Sequence, residues 1–241
     1  MAMWRRDTSR SRFLRSLIPE RIPSFAARLY ERIARGAIKT YYTEVAELVT
    51  AHISRGLVLD VGTGPGYLPI EIAKRAPQIT VVGIDSSKAL VRIAQRNADS
   101  EGLSDRVRFL KSDGKRLDFA HDSYDFVIST GSLHAWKRPV LVINECYRVL
   151  KVGREAWLLD PAQIMTTETQ QLLGRSLKAV DRLAYWWGSF TSRLTPPYTV
   201  REIEEIIRRT KFEKGTVEEG KWLTVKLRKN ASPATQALDG V

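Results

Sequence analysis

A single cysteine, three scattered histidines and no apolar run of membrane-spanning length are the scarcities that first narrow this 241-residue chain. One thiol cannot build a disulfide framework, so a reducing compartment is the default and a cytoplasmic location the expectation. His52, His121 and His134 lack the close spacing of metal ligands, and the sequence predicts no metal. The thiol of Cys146 falls among Val142, Ile143, Val149 and Leu150 at helical spacing, which reads as a packing position and not a nucleophile. Without a stretch of about 20 apolar residues, hydropathy gives no spanning helix. Acid is scarce relative to base, 27 Asp and Glu against 39 Lys and Arg, for a net charge of +12. The imbalance concentrates in residues 1–39, where ten cationic residues face three acidic ones, a net +7.

The start of that basic region, residues 1–23, admits several readings. Phe13, Leu14, Leu17 and Ile18 recur at helical spacing among arginines, the pattern of a helix lying in a lipid interface, with Trp4 as an anchor. A solvated basic tail, a nucleic-acid contact and an arginine-rich transit segment fit the same composition. A secretory signal does not, because no apolar segment follows the arginines. Peripheral membrane contact is therefore one expectation, and nucleic acid a weaker one.

What is present is more specific. Leu57, Val58, Leu59 and Val61 form a continuous apolar strand with Asp60 near its carboxyl end, and Gly62, Gly64 and Gly66 follow before Tyr67 begins a helical pattern. Such a strand, glycine turn and helix let backbone approach a ligand closely. A second strand, 79–84, ends in Asp85, 19 residues beyond Gly66, where a carboxylate is placed for the hydroxyls of a ribose. A dinucleotide fingerprint starting at Gly62 needs glycine at position 67, which is tyrosine. Further strands read at 57–61, 106–110, 124–129 and 154–160, with helical segments at 66–75, 86–101 and 137–150 between them. Alternating strands and helices of this length predict a doubly wound α/β sheet. A long amphipathic helix or broken pair precedes it, and a helix near 166–187 follows it. A threonine-capped helix from Tyr198 and two short strands, at 216–217 and 222–227, then close the pattern.

The run Asp60-Val61-Gly62-Thr63-Gly64-Pro65-Gly66 resembles the acidic-x-G-x-G-x-G signature of class I S-adenosylmethionine (SAM)-dependent methyltransferases. Gly83-Ile84-Asp85-Ser86-Ser87, Ser112-Asp113-Gly114, the 124–129 strand, Ser132-Leu133-His134-Ala135-Trp136 and Tyr147-Arg148-Val149-Leu150-Lys151-Val152-Gly153 resemble that family in its order, over about residues 55–160. Lys151-Val152-Gly153-Arg154 stands where the family often has Lys-Pro-Gly-Gly, a departure confined to a turn. The resemblance implies a Rossmann-like, seven-stranded, mostly parallel sheet closed by an antiparallel hairpin. Together with the charge and composition of the two ends, it divides the chain into a basic arm (1–23), a helical cap (24–53), a SAM-binding core (54–162), a helical lid insertion (163–198), a helix with the closing strands (199–229) and a disordered tail (230–241).

On this resemblance the cofactor is SAM. Asp60, Gly62, Thr63, Gly64 and Gly66 would surround its amino acid part, and Asp85 with Ser86 its ribose. Ser112, Asp113 and Gly114 would meet the adenine, and Ser129 and Thr130 the methionine portion. His134, in the loop where the methyl should point, is the candidate general base, with a pocket-lining role as the alternative. Tyr41 and Tyr42 of the cap are placed to close over the cofactor, or to pack in the core. Tyr42, Trp136, Tyr185, Trp186 and Trp187 are the candidate acceptor contacts; the last three would line an aromatic pocket or pack the lid onto the body. Ser129-Thr130-Gly131-Ser132 does not resemble the Asn/Asp-Pro-Pro-Tyr/Phe motif used on adenine or amide amines, which weakens a DNA-adenine or protein-glutamine acceptor; a small, hydrophobic organic acceptor is the expectation. Methylation of RNA through the basic surface, and a non-catalytic SAM- or nucleotide-binding module, are the alternatives. No feature specifies an oligomeric state.

Overall fold

The computed structural model describes residues 22, 26–28, 30–31, 39–161, 198–220 and 222–231. The expected arm (1–23) apart from residue 22, the lid residues Tyr185, Trp186 and Trp187, and the expected tail (230–241) beyond 231 lie outside the described residues.

The amphipathic cap pattern becomes α1 (Lys39–His52), and the apolar run after it becomes β1 (Arg55–Val61). Then come α2 (Tyr67–Arg75), β2 (Gln78–Asp85), α3 (Lys88–Ser100), β3 (Val107–Lys111), β4 (Tyr124–Thr130), α4 (Pro139–Val149) and β5 (Leu150–Pro161). The chain closes with α5 (Val200–Arg208), β6 (Thr216–Glu219) and β7 (Trp222–Arg228). The seven strands lie in the order β3-β2-β1-β4-β5-β7-β6. Strands β1 to β5 pair parallel, and β7 runs antiparallel between β5 and β6. The expected doubly wound sheet with its C-terminal antiparallel hairpin is thus the observed one.

Successive strand residues feed two opposite cores, which is why the strands read as unbroken apolar runs. Val58, Val81, Phe126 and Ile128 pack with Tyr42, Val45, Val49, Leu68 and Ile72 from α1 and α2. Their sequence neighbours Leu59 and Val127, with Leu158, pack on the other face with Ile143, Cys146 and Val149 of α4 and Ile203 and Ile207 of α5. Cys146 is fully buried there, and burial pushes its thiol up to about 12, so it is a core residue and not a nucleophile. The helix α5 begins with the expected threonine: Thr199 Oγ1 accepts from the Glu202 backbone N–H, and the Glu202 carboxylate accepts from the Thr199 N–H in return.

One boundary differs from the pattern. The fifth strand begins at Leu150 rather than 154, because Leu150 already pairs with Tyr124 across an irregularity in β4. Because the chain crosses from β3 back to β4 beside β1, the sheet has its switch point between β1 and β4, where open α/β sheets form a crevice.

Candidate cofactor and acceptor site

The carboxyl ends of β1, β2 and β4 meet at that crevice. After β1 the chain turns back on itself, and the N–H groups of Gly62 and Thr63 both donate to the Ile84 carbonyl, at 2.8 and 2.9 Å, tying the turn to β2. Gly62 has φ 81°, and a Cβ there would lie 2.2 Å from Ser132 Oγ, so neither backbone nor space admits another residue. Gly66, with φ 82°, serves a different end: its missing Cβ lets α2 settle against Phe109 and Ala94.

The crevice encloses a cavity of about 330 Å³ lined by Gly62, Gly64, Asp85, Ser86, Ser112, Asp113, Gly114, His134 and Trp136. Nine of the residues singled out by sequence therefore converge on one space. Asp85 is fixed by two backbone donors, Gly64 N–H to Oδ2 at 3.0 Å and Ser87 N–H to Oδ1 at 2.7 Å. Burial raises its pKa while these two donors oppose the rise. Asp113 accepts the Lys115 N–H at 3.1 Å and pairs with its ammonium at 3.3 Å.

Asp60 sits behind the glycine turn, 1% exposed. Neither of its carboxylate oxygens has a hydrogen-bond partner among the described residues, and the same holds for Thr63 Oγ1 and Asp160 Oδ1. Burial pushes Asp60 up to about 7, with the neighbouring Thr63 hydroxyl opposing the rise and the charge of Asp85 adding to it. Unpaired buried carboxylates are costly unless a cation or donor meets them.

His134 lies on a 3-10 turn, Leu133–Ala135, directly after β4. Its backbone N–H and its ring Nδ1 both lie 3.0 Å from Asp160 Oδ2, at the end of β5. Burial opposes a charged imidazole, but the charge of Asp160 and the hydrogen bond to it outweigh burial, and the His134 pKa is raised.

Other expected contacts fall elsewhere. Tyr42 does not line the cavity; it is buried beneath α1, against Tyr41 and Tyr67 at ring separations of 5.2 and 6.1 Å, because its position on the helix faces the sheet. Ser129 spends its hydroxyl on the Val61 carbonyl at 2.7 Å, joining β4 to β1, and neither Ser129 nor Thr130 belongs to the lining. Conversely, Tyr30, Lys115 and Asp160 were not among the expected site residues. Tyr30 lines the cavity, and Ala27 near it packs on Leu90 and Ile93 of α3. Burial and the Asp85 charge lift its phenol to about 12. Asp160 carried a readable signal: like Asp60, it is an acid at the carboxyl end of an apolar strand.

The fold and site define a nucleotide-binding, doubly wound α/β domain whose turn holds a buried carboxylate where a phosphate binder would keep free N–H groups. Residues 58–153 match the family model described as a methyltransferase domain. Over those residues the chain is similar to the class I SAM-dependent methyltransferases. It is 38% identical over 104 residues to a demethylmenaquinone methyltransferase of Porphyromonas gingivalis, covering 43% of this chain and 42% of that protein. It is 33% identical over 104 residues to the chloroplastic 2-methyl-6-phytyl-1,4-hydroquinone methyltransferase 1 of Oryza sativa subsp. japonica, covering 43% of this chain and 30% of that one. The match thus spans less than half the length of these curated relatives. In fold, it resembles a Methanococcus maripaludis protein crystallised as a candidate SAM-dependent methyltransferase, with a TM-score of 0.72 at 21% identity over 87% of this chain and 94% of that one.

The residues present fit SAM. Asp60 offers a buried anion for an ammonium, Asp85 a fixed carboxylate for two ribose hydroxyls, and Asp113 and Gly114 an acceptor and a donor for adenine. Among the described residues no cluster of His, Cys, Asp and Glu could hold a metal ion, and no helix is long and apolar enough to cross a membrane.

Proposed function

We propose that this protein transfers a methyl group from SAM by direct displacement to a small, hydrophobic organic acceptor, and that the acceptor is a phenolic or hydroquinone ring. The unpartnered Asp60 behind the glycine turn carries the first half of this reading. A buried carboxylate without a hydrogen-bond partner, when ionised, would attract a ligand ammonium and repel a pyrophosphate, which favours SAM over NAD beyond the glycine spacing alone. The second half is supported by the relatives, whose names refer to demethylmenaquinone and to a hydroquinone, and by the missing amine-gripping motif.

When bound, SAM supplies a methyl group on a positively charged sulfur, a leaving group that departs with the bonding electron pair. What remains for the chain is alignment, exclusion of water and removal of a proton from the acceptor. The Gly62 turn would hold the amino acid end of the cofactor, Asp85 its ribose, and Ser112 to Gly114 its adenine end. Trp136 and His134 both line the cavity; in this reading Trp136 is an apolar wall for a ring-shaped acceptor and His134 takes the proton. Tyr185, Trp186 and Trp187 complete the acceptor pocket in this reading.

Calorimetric titration tests it, with SAM, its demethylated product and NAD applied to the wild-type chain and to Asp85→Ala. Micromolar binding of the first two, weakened at least about 10-fold in the variant, and no binding of NAD are expected. Product release should then follow addition of an alkylated 1,4-hydroquinone and not of RNA. NAD binding tighter than SAM binding would defeat the cofactor assignment, and transfer to RNA alone would defeat the acceptor assignment.

A further inference from the structure

The mechanism above uses His134 but leaves Asp160 without a task, although its carboxylate is buried at the carboxyl end of β5, deep behind the cavity wall. Two contacts converge on the same oxygen. Oδ2 accepts the His134 backbone N–H at 3.0 Å, which fixes the 3-10 turn, and lies 3.0 Å from ring Nδ1, which fixes the imidazole. A carboxylate oxygen has no proton to donate when ionised, so Nδ1 must carry the hydrogen. That leaves Nε2 as the nitrogen with a lone pair, on a side chain 28% exposed that lines the cavity. Nε2 has no hydrogen-bond partner among the described residues.

We propose that Asp160 is the positioning residue of a His–Asp pair, locking His134 in the Nδ1–H tautomer with Nε2 turned toward the acceptor, and that the pair selects acceptors whose nucleophile must lose a proton. This rests on the methyltransferase reading and narrows its acceptor class. The balance is simple. The acceptor O–H bond breaks and its proton passes to Nε2; the pair left on oxygen becomes a C=O bond as a ring electron pair forms the new bond to the methyl carbon, and the proton on that ring carbon then moves to the oxygen to restore the aromatic ring. The C–S bond breaks with its electrons going to sulfur, which becomes neutral. The imidazolium left behind faces the Asp160 carboxylate, so its charge is compensated in a poorly solvated place. An acceptor without a proton to lose, such as a tertiary amine, gains nothing from the pair.

The charged surroundings of His134 are few among the described residues. Asp160 on β5 is in contact. Asp85 at the end of β2, Asp113 and Lys115 after β3, and Tyr30 line the same cavity, while Asp60 of β1 and Tyr41 of α1 lie behind it. The burial of Tyr41, reinforced by the charges of Asp160 and Asp60, keeps its phenol protonated, so it does not compete as the base. Asp160 and His134 are therefore the groups whose coupling the pH dependence should report.

The decisive experiment is nitrogen-15 NMR of the imidazoles in the full chain, which has only His52 and His121 besides His134. Spectra would be taken across pH for wild type, Asp160→Asn and Asp160→Glu, with His134→Gln for assignment. Wild-type His134 should appear as the Nδ1–H tautomer with a raised midpoint. Asn keeps an oxygen for the His134 backbone N–H but removes the charge, so Asp160→Asn should lower the midpoint and mix the tautomers. Asp160→Glu should restore part of both. With SAM and an alkylated 1,4-hydroquinone, Asp160→Asn should reduce kcat about 10- to 100-fold. KM and SAM affinity should stay within about twofold, and the acid limb of the pH–rate profile should move to lower pH. An unmoved His134 titration in Asp160→Asn overturns the pairing, and a moved titration with unchanged kcat and pH profile overturns its role in proton removal. Failure of the methyltransferase reading itself would register separately, as absent SAM binding in the calorimeter with the imidazole spectra intact.

Discussion

At the residue scale, the most consequential side chain is Asp60, because it is costly to the protein alone and useful only with a ligand. Its folded-state pKa, pushed to about 7 by burial, lies above the ordinary carboxylate value of 3.8. The native state therefore holds a proton that the unfolded chain has already lost, and stability falls as pH rises from about 4 to 7. The cost is fully present above about 7 and is bounded by roughly 4 kcal/mol. Asp60→Asn should consequently raise the melting temperature of the ligand-free protein at pH 8 by several degrees, and much less at pH 4. The same substitution should reduce the stabilisation that SAM confers, since the neutral amide no longer pairs with an ammonium. Thermal unfolding across pH, with and without SAM, checks both; a variant no more stable at pH 8 than wild type would mean that Asp60 is compensated within the fold.

At the scale of elements, the chain's local signals and its ends behave differently. Thr199 announces α5, and its reciprocal bonds with Glu202 satisfy two backbone donors that a nine-residue helix would otherwise leave to water. Thr199→Ala should cost about 1 kcal/mol in urea unfolding. SAM affinity should be unchanged, because α5 packs on the far core through Ile203 and Ile207 and contributes nothing to the cavity. A loss of SAM binding equal to the loss of stability would show that α5 is coupled to the crevice. The start of β5 was not legible from period alone. Lys151 to Arg154 look like a loop, and only the pairing of Leu150 with Tyr124 draws them into the strand. Between the two readings of Tyr42, cofactor cover or core, the spacing could not choose for a related reason: two adjacent tyrosines fall on different faces, and which face meets the sheet depends on how α1 docks.

For the whole molecule, the uneven charge is the property still without a partner. A net +12, with +7 in residues 1–39, favours anionic surfaces, and the Phe13, Leu14, Leu17 and Ile18 stripe adds apolar reach if it lies in a bilayer. A hydrophobic ring acceptor dissolved in lipid would make such contact useful to the proposed reaction. We expect the full chain to co-sediment with anionic vesicles and to remain partly bound at about 1 M salt, where charges are screened beyond roughly 3 Å. A Leu14→Ser, Leu17→Ser double variant should bind at low salt and release at high salt. Equal release of both proteins would reduce the arm to an electrostatic contact and remove the interfacial helix.

The sequence by itself determined the doubly wound sheet, its glycine turn and the acids that end its strands, because strand period, glycine placement and strand-end carboxylates are local patterns that survive any docking of helices. Tertiary structure alone decided that Tyr30 rather than Tyr42 borders the cavity, that Ser129 is consumed by the Val61 carbonyl, and that Asp160 meets His134 from a strand 26 residues away. Those facts depend on side-chain directions and on the register between strands, and neither is written in the spacing of one segment.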